Sequence, residues 1–65
     1  MKIDINRLLL AMARAKLTDT ELSQNAGIPK STFANVKAGR RNPKPVMVGK
    51  LAEALQVDVE ELVVL

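Results

Sequence analysis

The chain contains no cysteine, no histidine, no tryptophan and no tyrosine, and a single phenylalanine among its 65 residues. Without Cys there are no thiol nucleophiles and no disulfides. Without His and Cys the usual zinc-ligand sets are missing, as is the commonest general base. Long hydrophobic runs are missing too. The longest, Leu8 to Ala13, has six residues and ends at Arg14, far short of the roughly 20 needed to span a bilayer. Lys2 and Arg7 before that run and Ala11-Met12-Ala13 at its end hint at a secretory leader, but the apolar part is shorter than the roughly 7 to 15 residues expected and has charge on both sides. We therefore expect a cytoplasmic protein.

What is present is 48% apolar residues, 10 Lys and Arg, and 7 Asp and Glu, for a net charge of +3. A chain this short buries only about 60% of the surface its unfolded form exposes. That leaves room for one thin core and none for a deep pocket. One domain over residues 1–65 is expected, acting by binding and not by catalysis. Glu60 and Glu61 are adjacent and diverge on a helix, Asp19 and Glu21 suit helix capping, and no phosphate-cradling glycine loop exists. Nothing calls for a cofactor, a metal or a small-molecule substrate.

The charge is segregated. Lys30, Lys37, Arg40, Arg41, Lys44 and Lys50 fall between residues 30 and 50 with no acid among them, whereas Glu53, Asp58, Glu60 and Glu61 are the only charges after residue 50. A phosphate-rich partner would choose the basic centre. On charge alone a solvated surface without a ligand fits equally well. Attachment to acidic lipid is disfavoured because no helix joins a strongly basic face to bulky aromatic anchors, so no membrane partner is expected.

Periodicity predicts helices throughout and no strand. Ile5, Leu8, Leu9 and Met12 recur at helical spacing, with Asp4 or Asn6 as N-cap, giving a first helix to about residue 15. Thr18 and Glu21 have the spacing of a capping box, which opens a second helix over about residues 19 to 25. Gly27 suits a left-handed turn out of it. A third helix should begin at Pro29 or Lys30, reach about residue 38 and stop at Gly39. After the stiff stretch Asn42-Pro43-Lys44-Pro45, residues Val48, Leu51, Ala52 and Leu55 mark a fourth helix with Pro45 at its first position. Asp58 and Glu61 introduce a short fifth, with Val59, Leu62 and Val63 on one side. Five helices on short connections make an all-α fold. The expected core is Leu8, Leu9, Met12, Leu17, Leu22, Ala26, Phe33, Val36, Val48, Leu51, Leu55, Val59 and Leu62.

The third helix carries the most information. At 100° per residue Phe33 and Val36 point one way, while Lys30, Ser31, Ala34, Asn35 and Ala38 collect opposite. Small alanines let a helix backbone approach another surface. Lys30, Ser31 and Asn35 supply the groups that read base edges, with Lys suited to guanine O6 and N7, Asn to adenine N6 and N7, and Ser to several partners. A plain solvated face would have the same pattern.

The order of parts is more specific than any one of them. Leu17-Thr18-Asp19-Thr20-Glu21-Leu22-Ser23-Gln24-Asn25-Ala26-Gly27-Ile28, then Ser31-Thr32-Phe33, Gly39-Arg40-Arg41-Asn42-Pro43 and Leu51-Ala52-Glu53-Ala54-Leu55-Gln56-Val57 together resemble the Cro/C1-type (XRE-like) helix-turn-helix family of bacterial and phage repressors. With the first helix the resemblance covers nearly the whole chain. It implies a compact five-helix, lambda-repressor-like domain whose third helix enters the major groove of double-stranded DNA. It implies base contacts from Lys30, Ser31 and Asn35, and backbone contacts from Thr18, Arg40, Arg41 and Asn42 with help from Lys37. The family commonly pairs near its last helix, so a homodimer through Val63, Val64 and Leu65 is expected, with a frayed tail as the alternative.

Three residues depart from the pattern. Asp19 puts a negative charge where a phosphate would lie. Pro29 replaces the usual Ser or Thr cap, at a cost of about 1 kcal/mol. Gly49 stands where a larger apolar residue is usual, either permitting close packing or merely tolerated. The function expected is that of a sequence-specific transcriptional regulator, a repressor on an inverted-repeat operator. The rival from another class is a protein-interaction module, such as the antitoxin partner of a small toxin, with autoregulatory DNA binding.

Overall fold

In the computed structural model, which describes residues 1–65, four α-helices are followed by one turn of 3-10 helix: α1 (Ile5–Ala15), α2 (Asp19–Ala26), α3 (Lys30–Lys37), α4 (Pro45–Leu55) and the turn Val59–Glu61. The local signals act where the sequence puts them. Asp4, not Asn6, caps α1, its Oδ1 accepting from the Arg7 amide at 3.2 Å. Pro29 sits at the N-cap of α3 with no side-chain hydrogen bond, and Pro45 opens α4.

The expected fifth helix is a three-residue 3-10 turn. Asp58 starts it, its amide donating to Glu61 at 2.9 Å, but the chain cannot stay helical because it is drawn into another pairing. Ile3 and Val63 form an isolated antiparallel bridge. The Asp4 amide donates to the Leu62 carbonyl at 2.8 Å and the Val64 amide to the Lys2 carbonyl at 2.9 Å. Both Ile3 and Val63 are thereby buried in the core. This bears on the expected interface of Val63, Val64 and Leu65. Val63 is spent inside its own chain, while Val64 and Leu65 stay exposed.

In the core, α2 lies against both α3 and α4, and α1 against α4. Leu8, Leu22, Phe33, Val36, Val48, Leu51 and Leu62 are fully buried. Ser23 is the one buried polar residue, and its hydroxyl donates to the Thr20 carbonyl at 2.9 Å, so no buried side-chain polar atom is left unpaired. Leu9 departs from expectation: it is 42% exposed. The face of α1 that packs is Leu8, Ala11, Met12 and Ala15. Both faces share Leu8 and Met12, and the one with small residues lets α4 approach. Leu17 and Val59 pack at the edge, half-buried.

The four α-helices end alike. Lys16, Gly27, Gly39 and Gln56 each adopt a left-handed conformation, with φ of 58°, 68°, 76° and 56°. Each donates its amide to the carbonyl three residues back, and the next residue donates to the carbonyl five back. That satisfies the last carbonyls of each helix and reverses the chain within two residues. A 26 × 22 × 19 Å body results. No helix is long and apolar enough to cross a membrane.

Candidate nucleic-acid interface

Phe33 and Val36 are each 1% exposed and clamp α3 against the core, so the opposite face is turned outward. Lys30, Ser31, Ala34 and Ala38 are exposed on it and Asn35 is half-buried. The structure thus brings the three expected base-reading side chains together on one ridge, with nothing larger than alanine between them. A depression of about 320 Å³ lined by Asp19, Ala34, Lys37 and Ala38 runs along its flank.

The basic loop follows directly. Gly39 turns the chain, Arg40, Arg41 and Asn42 are exposed, and Pro43 is buried as the anchor of the loop. The Met1 nitrogen donates to the Pro43 carbonyl at 2.9 Å, fixing the loop from the other side. Arg40 is folded back on α3: its Nε donates to Asn35 Oδ1 at 3.1 Å. Arg41 and Lys30 have no acidic partner, since the ion pairs present are Arg7 with Asp4 and Lys37 with Asp19.

At the start of α2 the capping box is complete. Thr18 Oγ1 accepts from the Glu21 amide at 3.1 Å, and Glu21 Oε1 accepts from the Thr18 amide at 3.0 Å. The Thr18 amide, and then its hydroxyl, hold the Glu21 carboxyl below its ordinary value by favouring the charged form. The Thr18 amide is therefore engaged. The amides of Asp19 and Thr20 remain without an intrahelical partner and are the donors left for an anion, together with the Thr18 hydroxyl.

Lys37 points away from the outer ridge and donates to both carboxylate oxygens of Asp19 at 3.0 Å. The pair links the end of α3 to the start of α2. It offsets the charge that made Asp19 a poor neighbour for phosphate, and it engages the ammonium expected to assist the Arg40-Arg41-Asn42 loop on the DNA backbone. No spacing rule reveals a pair 18 residues apart. Its only trace in the sequence is that Asp19, an acid outside the capping box, stands where an anion is expected.

A family model described as helix-turn-helix matches residues 8–62. Among solved structures, the chain is similar to the restriction-modification controller protein C.AhdI from Aeromonas hydrophila, with a TM-score of 0.81 and 30% sequence identity, over 88% of this chain and 86% of that one. Among curated proteins, no sequence matches.

Proposed function

The chain belongs to the Cro/C1-type helix-turn-helix family of DNA-binding transcriptional regulators, and from that premise we propose that it is a sequence-specific repressor acting in the cytoplasm, which binds an inverted-repeat operator as a homodimer. One observation carries the reading. The outer face of α3 holds Lys30, Ser31 and Asn35 around two exposed alanines, while Phe33 and Val36 fix the helix from behind. Such a ridge fits a major groove, where those three side chains have base-edge partners.

Arg41, Asn42 and Arg40 beyond the end of α3, with Thr18 at the start of α2, would hold the phosphates on either side. Those contacts position the protein and supply much of the affinity. Val64 and Leu65 form the exposed apolar end through which two copies would meet, with Val63 supporting them from the core. Repression follows from occupying promoter DNA. The similarity to a protein named a restriction-modification controller supports a regulatory role.

Selection from random duplex DNA, followed by titration at several salt concentrations, tests the reading. The expected result is a motif of two inverted half-sites centred about 34 Å apart. Asn35→Ala should relax preference at one position per half-site. Arg41→Ala should weaken binding to matched and scrambled duplexes alike and lower the salt slope by about 1. Absence of any protected tract at every ionic strength would overturn the proposal.

A further inference from the structure

Each α-helix ends in a ring whose first and last residues are joined through the backbone: Met12 with Leu17, Ser23 with Ile28, Asn35 with Arg40, and Ala52 with Val57, at 2.9 to 3.2 Å. In such endings the closing residue usually makes an apolar contact over the last turn. After α1, α2 and α4 it is Leu17, Ile28 and Val57, and all three pack on the core. After α3 it is Arg40, exposed to solvent. Its guanidinium replaces the apolar contact with the hydrogen bond from Nε to Asn35 Oδ1. The backbone amide of Arg40 binds the carbonyl of the same residue at 3.0 Å. Asn35 and Arg40 are tied twice, at the one helix end that borders the outer ridge.

The tie decides what Asn35 can offer. Guanidinium has donors and no acceptor, so the carboxamide atom that faces it is the oxygen. A carboxamide with both ends free reads adenine by donating to N7 and accepting from the N6 amino group. One lone pair of Oδ1 is taken by Arg40 and a second remains, but that single acceptor is flanked by donors on both sides, Nδ2 on one and the guanidinium on the other. The two terminal nitrogens of Arg40 beside it only donate. Guanine is the base whose major-groove edge is acceptor throughout, at N7 and O6.

Building on the proposed contact between α3 and the major groove, we propose that Asn35 and Arg40 act as one donor-rich unit that selects guanine over adenine at the base facing Asn35. Arg40 is the positioning residue. Beside any phosphate contact, its part is to set guanidinium donors against the carboxamide oxygen, which a residue that only clamps phosphate would not do.

Selection from random duplexes, followed by titration against guanine and adenine variants of the enriched site, should be run on the unaltered protein, Asn35→Ala, Arg40→Ala and Arg41→Ala. Circular dichroism confirms that each exposed-loop variant keeps its helices. Asn35→Ala marks the position, as the one it relaxes. The unaltered protein should enrich guanine there. Arg40→Ala should shift the guanine-to-adenine ratio toward adenine by about 5-fold or more, the lower end of what a two-bond base contact discriminates. Arg41→Ala removes the same charge and should leave that ratio unchanged while lowering affinity for every duplex. Enrichment of adenine by the unaltered protein, or an Arg40→Ala variant indistinguishable from Arg41→Ala, overturns the pair and leaves DNA reading by α3 intact. Failure of Asn35→Ala to relax any position also overturns it. If the unaltered protein enriches no sequence, DNA reading falls and this inference falls with it.

Discussion

The Lys37 ammonium lies 3.0 Å from both carboxylate oxygens of Asp19, closing the end of α3 onto the start of α2. The side chains are 33% and 43% exposed, so water screens the pair and its contribution to stability is at most about 1 kcal/mol. Its larger effect is on the electrostatics of the face beside it. Asp19→Asn keeps the shape, removes the negative charge and releases Lys37. Titration should show tighter binding to matched and scrambled duplexes alike, with a salt slope steeper by about 1, as expected for one added cation at the phosphates. An unchanged slope would mean that Lys37 cannot reach the backbone.

Gly49 lies inside α4, and a methyl group built there meets nothing within 4 Å. Close packing is therefore not the reason for this glycine. Gly49→Ala should stabilise the protein by about 0.5 to 1 kcal/mol, through helix propensity and a less flexible unfolded chain. Chemical unfolding followed by circular dichroism measures it, since the chain has no Trp or Tyr to report by fluorescence. A destabilised variant would point to a partner surface or a local motion that requires the glycine.

The capping box of α2 predicts an acid effect with a definite sign. Glu21 has a lowered pKa in the folded chain because the Thr18 amide and hydroxyl favour its charged form. Its contribution is fully present above the ordinary glutamate value of 4.5 and is lost as pH falls through the lowered folded value. Glu21→Gln keeps an acceptor for the Thr18 amide but does not titrate. Melting profiles below pH 4.5 should be flatter for the variant than for the unaltered protein, and equal slopes would remove Glu21 as a source.

Val63 and Leu65 separate folding from assembly. Val63 is 3% exposed and Leu65 is 97% exposed. Val63→Ala should cost about 2 kcal/mol, from two buried carbons and the space they leave. Leu65→Ala should leave the melting of dilute protein unchanged and shift any monomer–dimer equilibrium toward monomer in sedimentation. Equal effects of the two variants on melting would place Leu65 in the fold.

Most of the helices were legible because their signals are short. The Thr18–Glu21 box, Pro45 at the head of α4, and Gly27 and Gly39 as left-handed turns depend on groups within three to five residues of one another. Local chain geometry settles those in advance. The ridge of Lys30, Ser31 and Asn35 was legible for the same reason, as helical phase alone sets it against Phe33 and Val36. The left-handed ends at Lys16 and Gln56 were not, because neither residue type favours that conformation.

The sequence alone determined where the chain turns, which side of α3 faces outward, and where the basic charge lies. Only the tertiary structure decided that Ile3 meets Val63, that α1 packs through Ala11 instead of Leu9, and that Lys37 serves Asp19. Each of these depends on which parts of the chain become neighbours. A β-bridge across 60 residues or an ion pair across 18 leaves no periodic trace. The double tie of Asn35 to Arg40 stands between the two cases: Gly39 encodes the backbone half, and the side-chain half exists because the turn brings an arginine back over the face it has just left.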